Sequence, residues 1–147
     1  VWGRPFLDVQ GKLIVGERVQ FISTRAQLEI LVEAQGTLEI GDDTIINYGT
    51  SICATRHVRI GRGALVGMHA IIMDTDYHRL DPLHRQERPE SLPIVLEENV
   101  WLAARVVVLR GVTIGANSVI GAGSVVTKDI PPNVFAAGLP ARVIKHL

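Results

Sequence analysis

Residues 96–130 read LEENVWLAARVVVLRGVTIGANSVIGAGSVVTKDI, and within them Leu96, Leu102, Val108, Ile114, Ile120 and Val126 recur one every six positions. Four positions behind each stands another small or branched side chain: Val100, Val106, Val112, Ser118, Ser124 and Ile130. Where about a third of a chain is Leu, Ile or Val, six hits in one frame arise by chance roughly once in a thousand. A six-residue period is neither helical nor plain alternation. Residues two apart in an extended strand share a face, so each fourth-after residue and the next lead residue point the same way. The residues between must turn the chain, and Gly115, Asn117, Gly121 and Gly123 suit turns. Repeated, this makes a coil with a continuous apolar lining, and stacked coils satisfy each other's backbone groups. The expected architecture is all-β, a parallel β-solenoid.

Upstream, Ile22, Leu28, Ala34, Ile40, Ile46 and Ile52 continue the frame, followed by Ala26, Val32, Leu38, Thr44 and Thr50. After Ile52 the frame slips by two residues and resumes at Ile60, Val66 and Ile72. The slip makes Val58 the inward partner of Ile60 and releases Arg56 into a bulged turn, sparing the core a buried charge. A weaker frame survives before it as Val9, Val15 and Phe21. Residues 1–147 therefore read as one domain without a linker. The first residue is Val1, and solenoid ends need capping, so a longer natural chain or a removed cap is expected. Pro131-Pro132 is expected to end the solenoid, and Val143-Ile144 has the composition of a last strand.

Fifteen Lys and Arg balance fifteen Asp and Glu, so no net field draws the chain to nucleic acid or anionic lipid. The lone Cys53 rules out an internal disulfide and suits a reducing, cytoplasmic setting. No apolar run approaches membrane-spanning length. High aliphatic content on a thin solenoid leaves apolar outer faces, the usual mark of an interface, so self-association is expected.

The rhythm fails over residues 78–93, which hold His78, His84, several arginines and three prolines without a period. Loops this long are uncommon unless functional or disordered. His78 ends Asp74-Thr75-Asp76-Tyr77-His78 and stands where the next lead aliphatic is due. Its flanking carboxylates suit an oriented, more basic imidazole. Asp76 and Asp74 compete for that orienting role, Asp76 being nearer in sequence. His69 reads as a surface turn residue, His57 has no evident partner, and His84 lies within the loop.

Three runs carry a family resemblance: Val100-Trp101-Leu102-Ala103-Ala104, Gly111-Val112-Thr113-Ile114-Gly115, and Val119 through Pro132. Together with Ala137-Gly138-Leu139-Pro140-Ala141-Arg142-Val143-Ile144-Lys145, they resemble the hexapeptide-repeat acyltransferases, in the branch of galactoside, maltose and surface-polysaccharide O-acetyltransferases. The resemblance implies a left-handed parallel β-helix, active as a homotrimer with acetyl-CoA in clefts between subunits. Handedness rests on the resemblance alone, because the general rule favours right-handed crossovers. It implies that His78 is the general base, taking the proton of a sugar or glycan hydroxyl as that oxygen attacks the thioester. Transfer is direct, with no covalent enzyme intermediate and no metal. Trp101 then lies along the pantetheine arm, and backbone groups of Ala104 and Ala122 bond its amides. Thr127, Lys128 and Arg142 lie toward the nucleotide phosphates. Ala104 replaces a serine found in some relatives. Asn47 matches the asparagine that contacts a sugar hydroxyl, whereas Thr55 stands where galactoside enzymes carry an acid, which favours a different glycan acceptor. Competing readings are an N-acetyltransferase for amino-sugar nucleotides, a zinc carbonic-anhydrase-like solenoid lacking here the usual close histidine pair, and a non-enzymatic scaffold.

Overall fold

Short runs with an apolar residue at every second position bury one side only, which favours strands over helices. In the computed structural model, which covers residues 1–147, these strands line up as three sheets that form the faces of a solenoid. The eight-stranded face includes Ile45–Ile46, Leu65–Val66, Trp101–Leu102 and Val119–Ile120. The six-stranded face includes Glu29–Val32, Ser51–Ala54, Ile71–Met73, Val107–Val108 and Val125–Val126. The five-stranded face includes Thr37–Ile40, His57–Ile60, Ile94–Leu96 and Thr113–Ile114. Pairing between successive coils is parallel, with Leu96 beside Ile114, Leu102 beside Ile120 and Val108 beside Val126. The six-residue frame is therefore the register of the stacked coils.

The lead residues and their partners form one buried apolar column that runs from Leu28 to Ala141. Four of the fourth-after positions are hydroxyls: Thr44, Thr50, Ser118 and Ser124. Burying a hydroxyl is costly unless it is bonded. Each donates to a turn carbonyl, at Gly61, Gly67, Pro131 and Gly121 respectively. Asn99, Asn117 and Asn133 occupy left-handed turn positions, a conformation asparagine tolerates. Their side-chain amides bond one another up the corner at 3.0 and 2.9 Å.

The coils are not equal in length, and from Ile30 onward the surplus has one address. From Val108 to Val126 the chain returns to the six-stranded face in eighteen residues. Ile30 to Ile52 takes twenty-two, Ile52 to Ile72 twenty, and Ile72 to Val108 thirty-six. In each the extra residues lie at the corner between the six-stranded and five-stranded faces. The slip after Ile52 is one such surplus; Val58 is buried beside Ile60 and Arg56 is exposed, as expected.

Two expectations need correction. Ala34 is exposed in a turn, and Ile30 turns inward beside the expected Leu28 and Val32. Similarly, Phe21 rather than Ile22 aligns with the inward Ile46, whereas Ile22 pairs with Trp2. Ala34 mimicked the period from a surplus turn, and Ile22 lies one residue off the inward register of its strand. Nor does Pro131-Pro132 end the solenoid. Backbone bonds from Gly115 to Ile130 and from Asn133 to Ala116 carry the stack past both prolines. Val134–Gly138 then joins the eight-stranded face beside Val119–Ile120, and Ala141–His146, containing Val143 and Ile144, folds back antiparallel upon it.

Candidate active site

The excursion leaves strand Ile71–Met73 and returns at Ile94. Asp74, its first residue, is fully buried. An isolated carboxylate there would be very costly, and four donors meet it: Thr55 N, Thr55 Oγ1, Arg56 N and His57 N, all within 2.7–2.8 Å. The surplus turn after Ala54 is thus folded around Asp74. Thr55 Oγ1 also lies 2.5 Å from Ser91 Oγ, and Leu92 N donates to the Asp74 carbonyl, so the two arms of the excursion close at its neck. Thr55 is thus engaged by Asp74 and Ser91.

His78 is exposed, with Nδ1 2.9 Å from the carbonyl oxygen of Arg85. A carbonyl only accepts, so Nδ1 carries the hydrogen, and Nε2 of the neutral ring keeps its lone pair. This is the tautomer of a general base. Neither aspartate orients it. Asp74 is consumed by the turn, and the Asp76 carboxylate pairs with Nε of Arg110, whose Nη1 also donates to Glu90 O at 2.7 Å. A cationic guanidinium on the adjacent coil outcompetes a neutral imidazole for the carboxylate. Asp76, His78, Arg79, Leu80, Pro89, Glu90 and Arg110 line a cavity of about 310 Å³. Proximity in sequence pointed to neither Arg110 nor the Arg85 carbonyl. Arg110 follows Val108 by two positions as Asp74 follows Ile72, and Val108 pairs with Ile72; the six-residue ruler therefore had the information to place it beneath the excursion.

Three other histidines are occupied. His57 Nε2 lies 2.8 Å from Glu39, supplying the partner its sequence context did not reveal. His84 Nδ1 contacts Glu87 at 2.8 Å, and the ring of His69 packs edge-on against Tyr48.

Trp101 points outward from the eight-stranded face, between Leu65 and Val119. With Ala103, Val119, Gly121, Ala122 and Phe135 it lines an open apolar groove of about 460 Å³. The N–H groups of Ala104 and Ala122 donate to no acceptor within the chain, and the Ala104 carbonyl accepts from Gly123 N. Asn47 stands on the same face. Backbone bonds Asn47 to Val66, Gly67 to Leu102 and Ala103 to Ile120 stack it in one column with groove residues. Its Oδ1 accepts from Tyr48 N at 3.0 Å, which turns the amide NH₂ away from that bond. Lys128 and Arg142 meet at a smaller cavity of about 210 Å³, with Thr127 exposed beside it. The cavity at His78, the groove at Trp101 and the basic cavity share no lining residue.

Comparison with known proteins places the chain by family and fold. Residues 93–128 match the family model "Bacterial transferase hexapeptide (six repeats)". A putative acetyltransferase of Schizosaccharomyces pombe is 41% identical over 162 residues, 98% of this chain and 78% of that protein. The galactoside O-acetyltransferase of Escherichia coli is 43% identical over 110 residues, 75% of this chain and 54% of that enzyme. The chain thus spans about half the length of that enzyme. A hexapeptide-repeat acetyltransferase of Vibrio cholerae, solved with acetyl-coenzyme A, superposes with a TM-score of 0.76 at 32% identity, covering 90% of this chain and 69% of that one. The fold shared with it is the left-handed parallel β-helix. On these grounds the chain belongs to the hexapeptide-repeat acetyltransferases.

Proposed function

We propose that the protein is an acetyl-CoA-dependent O-acetyltransferase acting on a hydroxyl of a sugar or surface-polysaccharide precursor. The observation that carries this reading is His78 itself: an exposed imidazole at a cavity, held by a carbonyl in the tautomer that leaves Nε2 free. Nε2 takes the proton from the acceptor hydroxyl while that oxygen bonds to the thioester carbonyl carbon. The C–S bond then breaks, and the imidazolium returns the proton to the departing thiolate. Free backbone N–H groups near Ala104 supply donors for the carbonyl oxygen as it gains charge.

The groove at Trp101 accommodates the pantetheine arm, and Lys128 and Arg142 face the nucleotide phosphates. Asn47 offers its amide to an acceptor hydroxyl. The separation of these groups on one chain supports a homotrimer, in which the His78 corner of one subunit faces the Trp101 groove of the next. No helix of the chain is long and apolar enough to cross a membrane, and an acetyl-CoA substrate with a free buried Cys53 fits a cytoplasmic reaction. The test is thiol release from acetyl-CoA across a panel of sugars, amino sugars, nucleotide sugars and glycans. Hydroxyl-dependent release, absent in His78→Ala, is the expected result. Release that requires an amine would replace the O-acetyl reading with the N-acetyl one, and no release with any acceptor would overturn both.

A further inference from the structure

We infer that Tyr77 is the positioning residue of the acetyl-transfer site, holding His78 through a clamp that also fixes the Arg85 carbonyl. The inference rests on the reading of His78 as the base. The segment around that histidine offers little else to hold it: residues 78–88 are all exposed. Segments with few buried contacts open readily, yet a catalytic group must be held to roughly half an ångström.

Tyr77 lies in the left-handed region, with φ at +55°. An aromatic residue persists there only when its surroundings determine it, and the contacts show what does. The phenol oxygen is 2.8 Å from Sγ of Cys53, on the outer side of strand Ser51–Ala54. Burial raises the proton affinity of both groups, so both stay neutral and the contact is an O–H or S–H hydrogen bond. Above the ring lies the guanidinium of Arg88, 4.9 Å from its centroid, a cation–π distance. Arg88 in turn bonds Glu33 at 2.6 Å, one coil away from Cys53. Tyr77 is therefore gripped by two successive coils and by the returning arm of the excursion.

The consequence for His78 follows from connectivity. Tyr77 precedes it directly, and Arg88 follows Arg85 by three residues. Both ends of the hydrogen bond between His78 Nδ1 and Arg85 O are thus tied to one clamp. Asp76, on the other side, is tied to Arg110. Tyr77 touches neither acceptor nor donor; it acts through the histidine.

The experiment compares Tyr77→Phe, Tyr77→Ala and Arg88→Leu in the full chain, each with His78 intact and with His78→Ala. Rates are read as thiol release from acetyl-CoA with maltose and with a galactoside as acceptors, and the His78 tautomer by ¹⁵N NMR of histidine-labelled protein. Tyr77→Ala is expected to lower kcat about ten- to a hundredfold with KM for acetyl-CoA within about twofold, and to shift His78 out of the Nδ1–H tautomer. Tyr77→Phe keeps the ring under Arg88 and is expected to restore the rate to within about threefold of wild type. In the His78→Ala background, Tyr77→Ala is expected to change the residual rate less than about twofold, because coupled residues are non-additive. An unchanged tautomer in Tyr77→Ala, or an equal loss in both backgrounds, overturns the inference. Arg88→Leu reports the same tautomer shift if Tyr77→Ala does not fold. A fully active His78→Ala overturns the base reading instead, and an absence of turnover with either sugar leaves the NMR arm to decide Tyr77.

Discussion

The coils from Leu96 to Val126 and the corner that carries residues 74–93 are built on opposite principles. In the coils each inward residue repeats its neighbour one turn away, and apolar burial does the holding. At the corner nothing repeats. Asp74, Thr55, Ser91, Tyr77, Arg88 and Arg110 each make specific polar contacts with another coil or arm. Repetition gives a stiff frame that tolerates exchange of like for like. Singular polar contacts place one side chain, His78, where the frame has no use for it. From Ile30 onward the chain lengthens only at this corner, so chemistry was added without disturbing the stack.

That contrast can be broken in four ways. The largest effect is expected from His78→Ala, a fall in kcat of about a hundredfold to ten-thousandfold with an unchanged thermal transition; steady-state kinetics and calorimetry on the same preparation decide it. Leu102→Ala should do the reverse. It removes a fully buried side chain and should cost about 2–5 kcal/mol of stability, seen in denaturant unfolding, with KM nearly unaltered at temperatures where the fold survives. Asp74→Asn sits between the two. The amide cannot accept from all four donors, so a loss of about 1–3 kcal/mol is expected, together with faster protease nicking within residues 74–93 while the coils stay resistant.

The smallest effect concerns pH. Burial raises the proton affinity of the Cys53 thiol above its ordinary 9.0 and of the Tyr77 phenol above its ordinary 10.0. Both groups are acids whose neutral form the fold prefers, so their stabilisation is complete below those values and declines as pH rises through them. Nicking of the excursion should therefore increase from about pH 9 upward. Cys53→Ala combined with Tyr77→Phe should flatten that rise; an unchanged profile in the double variant would show that the clamp does not titrate.

The same contrast governs what was legible in the sequence. Leu96 through Val126 could be assigned inward without error because burial in a coil depends on spacing alone. His78 was legible as a departure from that spacing, and Trp101 and Asn47 through the family motifs around them. Between Phe21 and Leu38 spacing misled, since a surplus turn shifts the frame and Ala34 is small enough to look like a core residue while lying exposed. The partners of the two aspartates were illegible for a different reason. Proximity in sequence favoured Asp76 as the orienting group of His78, yet its carboxylate reaches Arg110, thirty-four positions away.

By itself, then, the sequence determined the coil, its parallel stacking and the place where the chain leaves it, because these follow from apolar periodicity over neighbouring residues. Which carboxylate turns inward, which carbonyl sets the tautomer of His78 and what grips Tyr77 were decided only by tertiary structure. Those contacts join residues on adjacent coils or opposite arms of a loop, and their choice depends on which charges and donors the register brings side by side.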